Sequence, residues 1–358
     1  MSIKTSIWEL EPHTNTKHEI LKRYLQRWLP ILGTFNKGLF YIDGFAGPGV
    51  YTNGEKGSPI IAIKTAIDLI KEERLKTTLY CLFIEKDPER CKILEREINQ
   101  IDIPKQIKIK IKNKDFLSSM DDVLNNRLIK VLPTLIFIDP FGFSHTPFCL
   151  IKKIMMNNIC DFFINFNYEE IERFLSLSEQ ENNFINFFGC EEWKRALILK
   201  NKDKRKFLHD LYIKQLHKEA GIKYIRSFTM INKSNKIDYF LFFGTNSIKG
   251  LEKIKEVLWK IDKDSGNVFS DTTNPNQPKL FTSSYFNDLQ KEIIKKFKGE
   301  AVTIKELKDY ILTETPYPIG PLSTKILKPL EREKNLLITV SNRKKKFTYP
   351  DGCKINFL

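Results

Sequence analysis

The sequence has few features of a metal-binding or disulfide-bonded protein. It contains no C-x-x-C pair among its six cysteines, which are Cys81, Cys91, Cys149, Cys160, Cys190 and Cys353. This argues against a zinc or iron–sulfur site and against a disulfide framework. Cys81 and Cys160 lie inside apolar runs, so we expect them to be buried thiols.

The sequence also lacks the long apolar segments of membrane proteins. No run approaches the roughly 18–20 apolar residues that a membrane span requires. Residues 1–11 do not show the basic-then-apolar pattern of a signal peptide. We therefore expect no membrane association and a cytoplasmic location.

Basic residues outnumber acidic ones in the 358-residue chain as a whole. The 59 Lys and Arg residues and 44 Asp and Glu residues give a net charge of +15. Residues 295–358 carry 14 basic and 7 acidic side chains, and so +7 of that surplus. Such a surplus favours a polyanionic partner such as nucleic acid. A Lys-, Ile- and Asn-rich composition produced by biased coding is the alternative explanation.

Apolar segments alternate with helical patterns through the first half of the chain. The predicted strands are 38–43, 78–85, 107–115, 134–139 and 160–166. The predicted helices are 16–32, 58–74, 88–99, 117–129 and 147–157, with Ser58 as N-cap and Pro59 at the first helical position of the second. This alternation predicts a parallel, doubly wound α/β sheet covered on both faces.

The segment after the fifth strand predicts a different arrangement. Residues 169–220 have helical patterns and form a helical insertion. Two further strands are predicted at 224–231 and 236–244, joined by a turn at 232–235. They predict an antiparallel hairpin at the end of a mostly parallel sheet. A further helix is predicted at 248–262, followed by a loop.

A glycine-rich segment, DGFAGPG, directly follows the first strand. Its pattern, D-x-F-x-G-x-G, resembles motif I of class I methyltransferases that use S-adenosylmethionine (SAM). The resemblance implies that Asp43 orients the cofactor, and that its methionine half contacts the residues of the loop: Gly44, Phe45, Ala46, Gly47 and Gly49. An ordinary glycine-rich turn is the alternative. The absence of G-K-[ST] and of G-x-G-x-x-G argues against a phosphate loop and a nicotinamide dinucleotide site.

Acidic residues also end the second and third predicted strands. Glu85 is placed to take both ribose hydroxyls of a bound nucleoside, and Lys86 next to it is included in the predicted cofactor site. An ion pair of Glu85 with Lys86 or Arg90 is the alternative. In methyltransferases, the position of Asp115 and Phe116 contacts the adenine, although a helix N-cap would explain Asp115 nearly as well.

The fourth strand ends in IDPFG, which resembles the D/N/S-P-P-Y/F motif of amino-group methyltransferases. The resemblance implies a catalytic set of Asp139, Pro140 and Phe141: the Asp139 side chain and Pro140 carbonyl accept hydrogen bonds from an amine, and Phe141 packs on the base. The second Pro is absent, and D-P-F-G is closer to tRNA guanine-N2 methyltransferases. An Asp-Pro turn is the alternative. We interpret His145 as a bystander, with a catalytic base as the alternative. We interpret His13, Lys17 and His18 as surface residues, and the alternative is that they reach the site from their helix.

The C-terminal segment has the pattern of a winged helix-turn-helix. Helices are predicted at 302–311 and 322–336, the second capped by Ser323 or Thr324, and a β-hairpin is predicted around 341–346. Its basic wing predicts nucleic-acid contacts from Arg343, Lys344, Lys345 and Lys346. A protein–protein module is the alternative.

Several of these segments together resemble the three-Cys-motif partner (TcmP) proteins. The similarity spans most of residues 8–262, including YIDGFAGPG, GEKGSP, IDPFG and the segment from Gly250 to Asp262. It implies a Rossmann-like SAM-binding domain over 1–265, a linker over 266–290, a winged helix over 291–358, and a radical-SAM-like partner bearing three cysteines. We therefore predict a SAM-dependent methyltransferase that acts on a base amino group in nucleic acid, DNA rather than RNA. The alternative is a non-enzymatic or degenerate SAM-binding adaptor that brings the radical partner to DNA.

Overall fold

The computed structural model describes residues 7, 9–125, 131–156, 159–272, 285–332 and 337–358. Two compact units divide the chain. The first comprises Met1–Lys253 with Phe269–Thr273, and the second comprises Ile254–Val268 with Asn274–Leu358. Parts of the predicted helices 117–129, 147–157 and 322–336, and of the predicted linker 266–290, lie outside the described residues.

The N-terminal unit alternates strands and helices. The strands of its sheet are β1 (Gly38–Asp43), β2 (Thr78–Glu85), β3 (Ile107–Asn113), β4 (Thr134–Ile138), β5 (Cys160–Phe166), β6 (Tyr224–Ile231), β7 (Ile237–Thr245) and β8 (Val268–Ser270). The helices before the insertion are α1 (Pro12–Gly33), α2 (Ser58–Lys71), α3 (Pro88–Asn99), α4 (Phe116–Leu124) and α5 (Phe148–Met155). The insertion contains α6 (Tyr168–Phe174), α7 (Glu181–Phe188) and α8 (Asn201–Lys218), and α9 (Ile248–Ile261) follows β7.

These strands form one sheet in the order β3-β2-β1-β4-β5-β7-β6-β8. The first five strands are parallel, and β7 is antiparallel to both β5 and β6. The predicted α/β fold, mostly parallel with a final antiparallel hairpin, is therefore confirmed. The reversal of strand order on either side of β1 and β4 makes a crevice at their carboxyl ends, where open α/β sheets bind ligands.

The burial of each strand follows its place in the sheet. The central strands β4 and β5 are buried along their whole length, as their apolar sequences require. The edge strand β3, IKIKIKN, alternates and exposes Lys108 and Lys110. Charged side chains on an edge strand oppose pairing with another chain. Cys81 and Cys160 are buried thiols, as predicted.

Two local predictions in this unit were wrong. Residues 268–270, predicted as loop, form β8 at the edge of the sheet, where the Asp271 amide donates to the Ile231 carbonyl at 3.0 Å. The N-cap of α2 is Gly57 rather than Ser58. Ser58 is instead the first helical residue, and its hydroxyl bonds to the buried Asp43 carboxylate.

The C-terminal unit contains its own helices, strands and apolar core. Its helices are α10 (Tyr285–Phe297), α11 (Ile304–Glu314), a π-helical segment (Leu322–Leu327) and α12 (Lys328–Arg332). Its strands, β9 (Ala301–Thr303), β10 (Ile338–Ser341) and β11 (Lys354–Phe357), form an antiparallel sheet in the order β10-β11-β9. Thr303 and Glu306 form a capping box at the start of α11, a T-x-x-E signal that the sequence analysis overlooked.

The predicted hairpin and second helix of this unit differ from the structure. The hairpin partner of β10 is β11, so residues 342–353 form a long connection instead of a tight turn near 341–346. Positive φ angles at Asn342 and Phe347 break the extended backbone there. Ser323 and Thr324 lie inside the π-helical segment, which has no side-chain cap.

The boundary between the units lies before the predicted one at 265. The ammonium of Lys255 is buried and donates to the carbonyls of Ile311, Leu312 and Thr315 at 2.7, 3.1 and 2.8 Å. The indole of Trp259 donates to the Pro316 carbonyl at 2.9 Å. These bonds place the second half of α9 in the C-terminal unit. Within the described residues, no helix combines the length and apolar character needed to cross a bilayer.

Candidate active site

Two adjoining cavities lie at the carboxyl ends of the parallel strands in the N-terminal unit. One, the Glu85 cavity, has a volume of about 850 Å³ and is lined by residues after β1, β2 and β3, including Glu85, Lys86, Asp115 and Phe116. The other, the Asp139 cavity, has a volume of about 320 Å³. Phe45 and Phe141 line both cavities, so the two meet at these rings. Both volumes are in the range of small-molecule sites.

The glycine-rich loop after β1 forms part of the wall of both cavities. Gly47 and Gly49 have φ angles of 60° and 74°, which glycine adopts at no steric cost. At Gly44, an added Cβ would lie 2.6 Å from the Phe116 ring, so a side chain is excluded there. Phe45 packs on the same ring at 5.0 Å between centroids. Ala46, Gly47 and Gly49 line the Asp139 cavity, and Gly44 lines the Glu85 cavity.

Asp43 is fully buried and is not among the described residues that line either cavity. Burial raises the pKa of Asp43 to about 7, although hydrogen bonds from Ser58, Phe45 and Tyr41 favour its charged form. Because Ser58 and Phe45 lie at the two ends of the loop, Asp43 holds the loop in place. Its effect on a ligand is therefore exerted through the backbone of Gly44–Gly57.

Glu85 ties the glycine loop to the next strand. Its Oε2 accepts from the Gly47 amide at 2.9 Å, and its Oε1 accepts from the Asp87 amide at 2.8 Å. The partners shown for the two Glu85 oxygens are therefore backbone amides and not the side chains of Lys86 or Arg90. Each carboxylate oxygen keeps a second lone pair. Glu85 can thus accept two more hydrogen bonds at the surface of its cavity.

Asp115 is the N-cap of α4. Its Oδ1 accepts from the Ser118 amide at 3.0 Å and its Oδ2 accepts from the Ser118 hydroxyl at 2.7 Å. These bonds lower the pKa of Asp115. Asp115 therefore has the N-cap role that was its alternative interpretation. Asp115 and Phe116 also line the Glu85 cavity.

Asp139 follows β4 and lies in a network of polar side chains. Its Oδ1 accepts from the Asn165 amide at 2.7 Å, and its Oδ2 accepts a short hydrogen bond from the Lys17 ammonium. Pro140 and Phe141 line the same cavity. The Phe141 ring is 58% exposed, with the Arg90 guanidinium 5.3 Å from its centre. An exposed ring at the junction of two cavities can stack on a planar ligand.

His13, Lys17 and His18 are buried, so their interpretation as surface residues was wrong. All three line the Asp139 cavity. Burial, together with the adjacent Lys17 charge, lowers the pKa of His18 to about 3, so its ring is neutral at pH 7. Helix α1 buries these side chains because Tyr24 and Trp28 anchor it to the sheet through Asp161. His145 lines the other cavity, the Glu85 cavity.

His13 is the centre of an acidic cluster. Its Nδ1 is 2.9 Å from Asp271, and its Nε2 is 3.1 Å from both Asp238 and Glu11. Burial alone would lower the pKa of His13, but hydrogen bonds to Asp238 and Asp271 outweigh it and raise the pKa to about 9. His13 is therefore a cation whose charge is fully compensated by its neighbours.

Asn165 is a site residue that the sequence analysis missed. It is a buried amide near the end of β5, where every other side chain except Asp161 is apolar. Among the described residues, neither its Oδ1 nor the Nδ1 of His18 has a hydrogen-bond partner. Its Nδ2 donates to Asp139, which fixes Oδ1 as an acceptor. A polar residue one position before the end of an apolar strand was the available signal.

The predicted nucleic-acid residues in the C-terminal unit are of two kinds. The Arg343 guanidinium forms a two-pronged ion pair with Glu331, with one contact at 2.8 Å, and Glu331 also accepts from the Tyr349 hydroxyl at 2.8 Å. Lys344, Lys345 and Lys346 are exposed. Arg343 therefore fixes the connection between β10 and β11, and the three lysines carry its available positive charge.

Comparisons with known proteins give distant structural similarities. No protein-family model matches the sequence, and no curated protein matches it. A DUF519 protein from Legionella pneumophila aligns at 14% identity over 68% of this chain and 91% of its own, with a TM-score of 0.42. An O-methyltransferase from Bacillus cereus, solved in complex with SAH, aligns at 11% identity over 63% of this chain and 80% of its own, with a TM-score of 0.36. The fold is therefore assigned from the strand order of the chain's own sheet, which is that of a doubly wound, Rossmann-like α/β arrangement.

Proposed function

We propose that this protein is a SAM-dependent methyltransferase that acts on an amino group. The observation that carries the proposal is the pair of cavities joined at Phe45 and Phe141, one ending at Glu85 and the other at Asp139. The first has acceptors and an aromatic ring suited to an adenosine. The second has buried acceptors suited to an amine.

The residues present fit the cofactor. In the Glu85 cavity, the Glu85 carboxylate would accept from the ribose hydroxyls, and Phe116 would lie beside the adenine. A side chain at Gly44 would displace Phe116 from this position. At the other end of the loop, a Cβ added to Gly57 would lie 3.2 Å from the backbone of Gly49, so the two ends of the loop approach each other closely. When bound, SAM supplies an electrophilic methyl group on a sulfonium. The adjoining Asp139 cavity would then hold the methionine end of the cofactor and the substrate amine.

The polar groups of the Asp139 cavity would orient the nucleophile. A primary amine has two hydrogens, and Asp139 with the free Oδ1 of Asn165 offers two acceptors. Accepting both hydrogens directs the nitrogen lone pair away from the acceptors and toward the methyl group. Methylation would leave the nitrogen with one proton too many, and the Asp139 carboxylate that accepts its hydrogen bond would take up that proton. Positioning supplies most of the rate enhancement in such a methyl transfer, and Phe141 would stack on the ring that bears the amine.

The cofactor assignment predicts a binding loss at Glu85. Glu85→Ala should weaken binding of S-adenosylhomocysteine (SAH) by about 1.5–3 kcal/mol, the range for losing hydrogen bonds to a charged group. Isothermal titration calorimetry measures the change. Glu95→Ala, on the exposed face of α3, is a matched control and should leave affinity unchanged. Equal affinities of wild type and Glu85→Ala would remove Glu85 from the site.

A nucleic-acid substrate, DNA rather than RNA, is the second part of the proposal. Support comes from the +7 surplus of residues 295–358 and from the exposed Lys344–Lys346. The C-terminal unit also has the element order helix–strand–helix–helix–hairpin that we expect of a winged helix. The resemblance to TcmP proteins adds a radical-SAM-like protein as the proposed partner.

The three lysines give this part a test. Replacing Lys344, Lys345 and Lys346 together with Ala should weaken DNA binding. The slope of log K against log salt concentration should become less negative by up to about 3, because each lost phosphate contact reduces its magnitude by about 0.9. Fluorescence anisotropy with a duplex over a salt series measures both. The control Lys64/Lys71/Lys76→Ala removes the same charge from exposed positions in the N-terminal unit. Identical slopes for the two triple variants would favour a protein–protein role for the C-terminal unit.

A further inference from the structure

The Lys17 ammonium, which lines the Asp139 cavity, has more N–H donors than the surrounding residues accept. Its side chain is 5% exposed, and among the described residues its ammonium has one acceptor, Asp139. The face of Tyr239 lies 5.1 Å from Nζ and contributes a cation–π contact. An ammonium has three N–H donors. A buried cation with unused donors is suited to a second anionic oxygen.

The other cation that lines this cavity has no such capacity. His13 has three carboxylates within 3.1 Å, from Glu11, Asp238 and Asp271. Lys17 has a single carboxylate, which it shares with Asn165. An anion that enters the Asp139 cavity would therefore find its counter-ion at Lys17.

The position of Lys17 identifies that anion. Lys17 lines the same cavity as Gly47 and Gly49, whereas Glu85 and Asp115 line the neighbouring one. A SAM molecule with its adenosine beside Glu85 would pass Phe45 and extend its amino-acid end into the Asp139 cavity. The α-carboxylate at that end is the only anionic group of the cofactor.

We propose that Lys17 binds the α-carboxylate of the cofactor and thereby loosens its ion pair with Asp139. This inference rests on the proposed function. The Asp139 carboxylate would remain positioned by the 2.7 Å hydrogen bond from Asn165. It would then accept a hydrogen bond from the substrate amine more readily with cofactor bound than without. Lys17 is accordingly a cofactor-binding residue that also positions Asp139.

The test compares two ligands that differ only in the amino-acid end. SAH carries the α-carboxylate, and 5′-methylthioadenosine lacks the whole amino-acid end but keeps the nucleoside. In calorimetry with the full chain, Lys17→Met should weaken SAH binding about 10- to 100-fold. Affinity for 5′-methylthioadenosine should change less than twofold. Glu85→Ala, in contrast, should weaken both ligands.

Two further variants control for damage to the fold. Lys22→Met makes the same substitution at an exposed position of α1 and should change neither affinity. Lys17→Met leaves Asp139 without its cation, so the double variant Lys17→Met/Asp139→Asn removes both charges together. We expect the double variant to bind 5′-methylthioadenosine normally and SAH as weakly as the single one.

The outcomes separate this inference from the proposed function. If wild type binds both ligands and Lys17→Met weakens both equally, or neither, then Lys17 does not bind the carboxylate and this inference fails alone. If wild type binds neither ligand, the assignment of SAM fails with it. If Asp139→Asn alone reduced SAH affinity as much as Lys17→Met does, Asp139 would bind the ammonium group of the cofactor. The proposal that cofactor binding frees Asp139 to accept from the substrate amine would then be wrong.

Discussion

Asp161→Ala is expected to destabilise the N-terminal unit by about 3–4 kcal/mol. The carboxylate of Asp161, at the second residue of β5, is buried and accepts three side-chain hydrogen bonds. The Tyr24 hydroxyl and the Trp28 indole donate at 2.9 Å, and the Thr245 hydroxyl donates at 2.5 Å. Alanine would leave three donors unsatisfied, each at about 1–3 kcal/mol. The sum is reduced because burial of the carboxylate is itself unfavourable, as the raised pKa of Asp161 shows.

Asp161→Asn distinguishes hydrogen bonding from charge. An asparagine in the same rotamer keeps an oxygen for Tyr24 and Trp28, and its amide can donate to the Thr245 hydroxyl, so we expect a loss of only about 1 kcal/mol. Hydrogen exchange of peptides from 160–166 in urea reports on the N-terminal unit alone. Exposed Asp102→Ala should lie within about 0.5 kcal/mol of wild type. An Asp161→Ala protein as stable as Asp102→Ala would contradict the anchoring role.

The anchoring of α1 also explains why part of the site could not be predicted. The apolar periodicity of residues 16–32 predicts a helix. Periodicity does not reveal which element a helix packs on. The hydrogen bonds from Tyr24 and Trp28 to Asp161 of β5 hold α1 against the sheet, and the N-terminal half of the helix buries His13, Lys17 and His18 in the cavity. Their polar character pointed to the surface.

The fold was predictable because its signals are local. Fully apolar strands separated by amphipathic helices specify a parallel sheet, and the strand ends then identify Glu85, Asp115 and Asp139 as neighbours. Interactions distant in sequence were not predictable. Asn165 donates to Asp139 across 26 residues, and Arg343, which the sequence predicts as a nucleic-acid contact, forms an ion pair with Glu331. The capping box at Thr303 was a local signal that was overlooked.

Asp139→Ala is expected to reduce methyl transfer by at least about 100-fold, comparable to losing one well-placed polar group in catalysis. In the proposed mechanism Asp139 accepts from the amine as the C–N bond forms, so its contribution is greatest in the transition state. Tritium transfer from labelled SAM to DNA or RNA measures the rate. Asp139→Asn keeps the shape and one acceptor, so partial activity is expected. SAH affinity should stay within about threefold of wild type or increase, because Lys17 loses its competing anion.

The alternative roles of Asp139 predict different combinations of results. If Asp139 only begins a turn before Pro140, Asp139→Ala should lose stability without a specific catalytic defect. If the protein is a SAM-binding adaptor, wild type should bind SAH and transfer no methyl group to any nucleic acid tested. A folded, SAH-binding Asp139→Ala protein with wild-type transfer would remove Asp139 from catalysis. Asn165→Ala completes the set: because Asn165 offers the second acceptor and holds Asp139 at 2.7 Å, we expect it to slow transfer while affinity for 5′-methylthioadenosine stays unchanged.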